Sequence, residues 1–179
     1  ESFIEFSRAG VAGSVEEMVD SVANLVVIKS MSKVFGIAGL RIGYLLSADR
    51  EFIKTVRASL PIWNVNGLAE EFLRNVGRYR NEFWESCDLT RSTCAELYAE
   101  LSALPGIVPV EPDANFVLCK LVGTSVTGPQ IARRMYVEHN ILVKDCAAKS
   151  MPEADRYLRI ASRTPEENHQ LVRALAALL

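Results

Sequence analysis

The sequence predicts an α/β fold, and three stretches carry that expectation. Residues 25–28, Leu-Val-Val-Ile, form a continuous apolar run rich in β-branched side chains, the pattern of a strand buried on both faces in a mostly parallel sheet. Between residues 78 and 104, Phe83, Cys87, Thr90, Cys94, Leu97 and Leu101 recur every three or four positions with charges between them, which predicts one long amphipathic helix. Beyond it, strand and helix signals alternate as β-β-α-β-β-α, a small layered α/β unit.

Each element has a local reason. Phe3, Ile4 and Phe6 predict an opening strand with no preamble, as in a chain entered mid-domain. Ser14 and Glu17 have the spacing of a capping box and predict a short helix to about residue 21. Residues 41–46 predict a second strand. Asp49 is placed to cap a helix carrying Phe52, Ile53, Val56 and Leu60, which Pro61 stops. Asn66 is placed to cap the next, with Leu68, Ala69, Phe72, Leu73 and Val76. Leu104-Pro-Gly106 ends the long helix. Strands are then expected at 107–110 and 115–119, a helix from about 129 to 139, and strands at 141–143 and 157–161. The last helix has Thr164 at its N-cap, Pro165 at its first position and Glu167 at its third. This order predicts two units, 1–77 and 78–179.

Charge and composition narrow the function classes. With 20 Lys+Arg against 22 Asp+Glu and a net charge of −2, there is no electrostatic reason to expect a nucleic-acid partner. No apolar run approaches the ~18 residues of a membrane span, and the first residues lack the basic and apolar regions of a signal peptide. Cys87, Cys94, Cys119 and Cys146 form no C-x-x-C pair and read as buried or incidental thiols of a reducing compartment. No His/Cys/Asp cluster has metal-ligand spacing. The expectation is a cytoplasmic protein acting on a small molecule, with no metal, nucleic acid or membrane.

The chemistry concentrates after the apolar run of residues 25–28. That strand delivers Ser30, Ser32 and Lys33 to its carboxyl end, the edge at which open α/β sheets bind ligands. Gly36 and Gly39 permit a tight loop, and Arg41 follows eight residues after the lysine. Two hydroxyls and a planar guanidinium can cup a phosphate. A lysine beside the cup is placed to form a Schiff base with an aldehyde-bearing phosphate ester, and pyridoxal 5'-phosphate is such a molecule.

The full pattern, Ser30-x-Ser-Lys-x-x-Gly-x-x-Gly-x-Arg-x-Gly43, resembles the lysine signature of the class I/II aminotransferases, the fold type I pyridoxal-phosphate enzymes. The resemblance covers essentially the whole chain and implies the C-terminal half of such an enzyme. Residues 1–77 would be the remainder of the large, mostly parallel sheet domain that binds the cofactor. Residues 78–179 would be the connecting helix and the small α/β domain. Glu1-Ser-Phe-Ile-Glu-Phe6 resembles the family's Asp-Glu-Ala-Tyr strand entered one residue late, so the aspartate that pairs with the pyridinium nitrogen would precede Glu1. The resemblance makes Lys33 the Schiff-base lysine and Ser30, Ser32 and Arg41 the cofactor's phosphate ligands. Ala114-Asn-Phe116 and Thr164-Pro-Glu-Glu-Asn168 resemble the histidinol-phosphate aminotransferase branch. Arg159, in Tyr157-Leu-Arg-Ile-Ala-Ser-Arg163, matches the arginine that binds the substrate α-carboxylate.

Four features resemble the threonine-phosphate decarboxylases of the same branch. Phe3 stands where aminotransferases keep a tyrosine. Pro61-Ile-Trp-Asn-Val-Asn66 resembles a decarboxylase loop, which makes Trp63 and Asn66 candidate substrate contacts. Ile141-Leu-Val-Lys-Asp-Cys-Ala147 and the second arginine, Arg163, match as well. Two departures stand beside them: Lys144 replaces an arginine, and a Gly-Leu expected after Cys146 is missing. The implied activity is transamination of a small phosphorylated or phosphonated amino acid or amine, histidinol-phosphate aminotransferase-like. Threonine-phosphate decarboxylation and a truncated, non-catalytic remnant are the alternatives, and the complete enzyme would be a homodimer.

Overall fold

The computed structural model describes residues 1–179, which divide into two compact units, Glu1–Cys87 and Asp88–Leu179. No helix is long and apolar enough to cross a membrane.

The first unit is built around two antiparallel strands, β1 (Val26–Ser30) and β2 (Gly43–Ser47), registered from Val26 opposite Ser47 to Ser30 opposite Gly43. The expected strand is there, but it is not buried on both faces. Val27 and Lys29 are buried while Val26 and Ile28 on the other face are 40% and 64% exposed, because within this unit β1 packs on one side only. Between the strands lie a one-turn helix, α1 (Met31–Val34), and a 3-10 turn at Ala38–Leu40. Helix α2 (Arg50–Ser59) starts where Asp49 accepts hydrogen bonds from the N–H groups of Glu51 and Phe52. Helix α3 (Gly67–Asn75) starts at Asn66, whose side chain accepts from Ala69 N–H.

The opening is not as expected. Residues 3–6 form a 3-10 turn (Ile4–Phe6) instead of a strand, and the helix expected after Ser14 is only a 3-10 turn at Glu16–Met18. The Ser14 hydroxyl donates to Glu1 at 2.6 Å and accepts from Glu16 N–H, and Val15 N–H donates to the same Glu1 carboxylate. Those contacts take the place of a reciprocal bond with Glu17.

The long helix α4 (Arg80–Ser102) begins in the first unit and ends in the second, so the division falls inside it. The second unit holds a four-stranded antiparallel sheet of order β3-β4-β6-β5, with β3 Ile107–Val110, β4 Phe116–Leu121, β5 Lys144–Asp145 and β6 Tyr157–Ala161. Val117, Cys119 and Leu121 of β4 and Leu158 and Ile160 of β6 face a core completed by Leu97 and Leu101 of α4. Helices α5 (Gly128–His139) and α6 (Pro165–Ala176) add Ile131, Met135, Leu171 and Leu175 to it. Both helices carry capping boxes, Thr127 with Gln130 and Thr164 with Glu167. The strand expected at 141–143 is displaced to Lys144–Asp145. Asn140 closes α5 in the left-handed region, and Ile141 N–H is taken by Met135 O, so pairing with β6 starts three residues later than expected.

Candidate active site

The connection between β1 and β2 holds the candidate residues of the first unit. Ser30 ends β1, Ser32 and Lys33 lie on α1, and Arg41 lies two residues before β2. Ser30 pairs with Gly43, and Met31 N–H donates to Ile42 O at 3.1 Å, so the backbone closes a loop that brings residues 30–33 and 41 to one end of the hairpin. Ser32 is buried, Ser30 half-buried, and Lys33 and Arg41 are exposed.

Two details show why the spacing is as it is. A Cβ at Gly43 would lie 2.5 Å from Lys29 O, so only glycine lets the strands approach where the loop closes. Arg41 adopts φ 54°, a left-handed conformation uncommon outside glycine. Strain of this kind persists where surroundings hold it and gathers at ligand clamps. Here Arg41 Nη1 donates to Ala38 O at 3.1 Å, which uses one of the five guanidinium N–H donors. Asn66 Nδ2 donates to Leu40 O at 2.9 Å while its Oδ1 caps α3. The Asn66 amide thus ties the loop that carries Arg41 to the start of α3. Trp63 stands 92% exposed before it.

A group of charged side chains lies beneath the hairpin. Lys29, at the position before Ser30, is buried, and its Nζ lies 2.6 Å from Glu5 and 3.5 Å from Glu16. Tyr44, opposite Lys29 on β2, donates its hydroxyl to Glu16 at 2.6 Å. A lysine is ordinarily a surface residue. The available signal is strand alternation, which puts it on the inward face with Val27. Burial pulls the Lys29 ammonium down, but the hydrogen bond and charge of Glu5, with Tyr44 and Glu16, outweigh it, so its pKa is raised above the ordinary lysine value. Burial, aided by the bond to Glu16, pushes the Tyr44 hydroxyl up to about 12.

Both groups hold their protons more tightly in the folded than in the unfolded chain. Their stabilising contribution is therefore whole below about pH 10 and is lost as the pH climbs through the raised values. Urea unfolding followed against pH should show the wild-type midpoint falling more steeply above about pH 10 than that of Tyr44→Phe. Equal slopes would show that Tyr44 has no part in the loss.

In the second unit, Arg159 lies on β6 with its guanidinium 5.0 Å from the Phe116 ring centre, a cation–π contact. The β5–β6 register sets Lys144 directly opposite Arg159. Arg163 follows β6 and binds Glu167 through Nε and Nη2, both at 3.1 Å. It also borders a 490 Å³ cleft with His139, Leu142 and Asn168. Asn115 precedes β4, and its carbonyl accepts from Ser162 N–H at 2.9 Å.

Residues 2–175 match the family described as aminotransferase class I and II, whose members depend on pyridoxal 5'-phosphate. The chain is 44% identical over 179 residues to a CMP-5'-(3-aminopropyl)phosphonate synthase of Streptomyces rubellomurinus, covering 100% of this chain and 28% of that protein. It is 36% identical over 186 residues to an L-serine phosphate decarboxylase of Sulfurospirillum multivorans, covering 100% of this chain and 46% of that protein. Among solved structures, the histidinol-phosphate aminotransferase of Clostridium acetobutylicum superposes with a TM-score of 0.89 at 26% identity, over 99% of this chain and 52% of that one. The chain spans about half or less of the length of each.

Proposed function

Because the chain belongs to the aminotransferase class I and II family, we propose that it supplies the lysine and phosphate-binding part of a pyridoxal-phosphate site, and that the whole protein decarboxylates a small phosphorylated or phosphonated amino acid. The observation that carries the substrate class is Lys144 directly opposite Arg159 across β5 and β6. Like charges facing each other across an antiparallel pair are unfavourable, and an anionic group between them reverses the sign. The choice of decarboxylation rests on the phosphonate synthase and serine phosphate decarboxylase relatives. Phe3, which has no hydroxyl, at the position of the aminotransferase tyrosine agrees with it.

The donors of the first unit suit the cofactor. Two hydroxyls and a guanidinium with donors to spare gather at the hairpin end, with a primary amine exposed on the adjoining turn. Ser30, Ser32 and Arg41 would hold the phosphate, and Lys33 Nζ the aldehyde carbon. The bound cofactor supplies an electron sink for the charge left at the α-carbon when one of its bonds breaks. As a free amine, Lys33 Nζ would return a proton to that carbon. Arg159 would bind one anionic group of the substrate, with Lys144 beside it. Arg163 would exchange Glu167 for the other. Trp63 would border the substrate, and Asn66 would act through the Arg41 loop. Exposed Ile62, Trp63 and Leu68 supply apolar surface of the kind that a second copy covers, and the assembly proposed is a homodimer.

The test incubates the full-length protein and pyridoxal phosphate with O-phospho-L-serine, O-phospho-L-threonine and 2-amino-4-phosphonobutyrate, with and without a 2-oxo acid. The reading expects carbon dioxide and the corresponding amine in equal amounts from at least one of them, with no need for the 2-oxo acid. Turnover only with the 2-oxo acid, yielding a new amino acid from it, would replace decarboxylation by transamination.

A further inference from the structure

The residues flanking Lys33 are gripped on both sides by one short segment near the chain's start. On one side, Ser30 N–H donates to Ser2 Oγ at 2.8 Å, and the Lys29 ammonium sits 2.6 Å from Glu5. On the other side, Phe6 packs with Val34 and Cys87, and Phe3 and Phe35 lie against that cluster. The 3-10 turn at Ile4–Phe6 thus supplies both grips: Glu5 reaches the residue before Ser30, and Phe6 the residue after Lys33. Glu16, 3.5 Å from Lys29 and bonded to Tyr44, extends the polar grip to β2.

A buried ion pair is a costly way to build such a grip. Its desolvation penalty approaches or exceeds the attraction between the charges, and apolar pairs of similar volume commonly do as well or better for stability. What an ion pair adds is position. The carboxylate and ammonium must come within bonding distance of each other to offset their desolvation, whereas an apolar contact is not directional. Phe6 and Val34 supply apolar contact but do not determine where residues 29–33 stop along the segment.

We propose that Lys29, through Glu5, is a positioning residue for Lys33 and its phosphate ligands. Together with the Ser2–Ser30 bond, the pair sets the register of residues 2–6 against β1, and so fixes how Ser30, Ser32 and Lys33 are presented to the cofactor. The inference rests on Lys33 holding pyridoxal phosphate, as proposed above.

The experiment compares full-length wild type, Lys29→Arg, Lys29→Met and the double variant Lys29→Met/Glu5→Met. Borohydride reduction of the wild type with pyridoxal phosphate, followed by peptide mapping, first checks the underlying reading. Label absent from Lys33 there defeats that reading and this inference with it. Given label at Lys33, each variant is measured for thermal midpoint, cofactor dissociation constant, and visible absorbance of the bound cofactor against pH. Lys29→Met leaves the Glu5 carboxylate buried beside an apolar side chain and can fail to fold, and the double variant removes that difficulty. The double variant is expected to melt at or above the wild-type temperature yet bind pyridoxal phosphate about tenfold more weakly, with a displaced absorbance titration, because small misplacements of a positioned group are expensive. Lys29→Arg, which keeps the charge and pairs with a carboxylate in a planar fork, is expected to restore both readouts. A double variant with wild-type affinity and an unchanged titration would overturn the proposal and leave the pair a merely structural contact.

Discussion

Lys33→Ala is expected to abolish the borohydride-stable attachment of pyridoxal phosphate and to slow turnover by a factor on the order of 10² to 10⁴, the range ascribed to a positioned acid–base group. On the roles proposed for Lys33, two separate losses would combine there, that of the amine holding the cofactor and that of the amine returning the proton. Arg41→Ala should act differently. It would leave the amine in place and remove the proposed charge-assisted partner of the phosphate, worth on the order of 1.5–3 kcal/mol, or about ten- to a hundredfold in cofactor affinity. Excess cofactor should therefore restore much of the activity of Arg41→Ala and none of that of Lys33→Ala. Mass spectrometry of the reduced protein and a cofactor titration of each variant distinguish the two. Label retained at full yield in Lys33→Ala would move the attachment to another lysine and remove the basis of the proposed function.

Leu97→Ala should strongly destabilise the second unit. Leu97 is fully buried in α4, within the core that β4, β6, α5 and α6 also line. Truncating a fully buried leucine costs about 2–5 kcal/mol, the transfer free energy of the lost methyl groups plus the cavity they leave. Against a net stability of about 5–15 kcal/mol for a domain, that is a large part of the total. Urea unfolding followed by far-ultraviolet circular dichroism should show the midpoint falling with little change in slope. A cost under about 1 kcal/mol would mean that the surrounding side chains collapse into the space.

Much of the fold is written in neighbouring residues. Asp49, Asn66 and Thr164 cap the helices they were expected to cap, because a cap is a bond between a side chain and N–H groups two or three residues away. Pro165 and the Thr164–Glu167 pair start α6 for the same reason, and β3 and β6 keep their expected limits. The candidate loop was legible as well, since its glycines, hydroxyls, lysine and arginine lie within one run of fourteen residues, from Ser30 to Gly43. Distant partners decided the rest. Phe3, Ile4 and Phe6 look like a strand, yet no strand pairs with them, and the turn they form lets Glu5 reach Lys29 and Phe6 reach Val34. Ser14 has the spacing of a cap but is taken by Glu1, thirteen residues away. Lys29 is charged and has the look of a surface residue, yet it is buried by acids from two turns far upstream. Local periodicity reports which face of a strand or helix is apolar. It does not report what that face meets, and the free energy of burying a charge depends on that meeting alone.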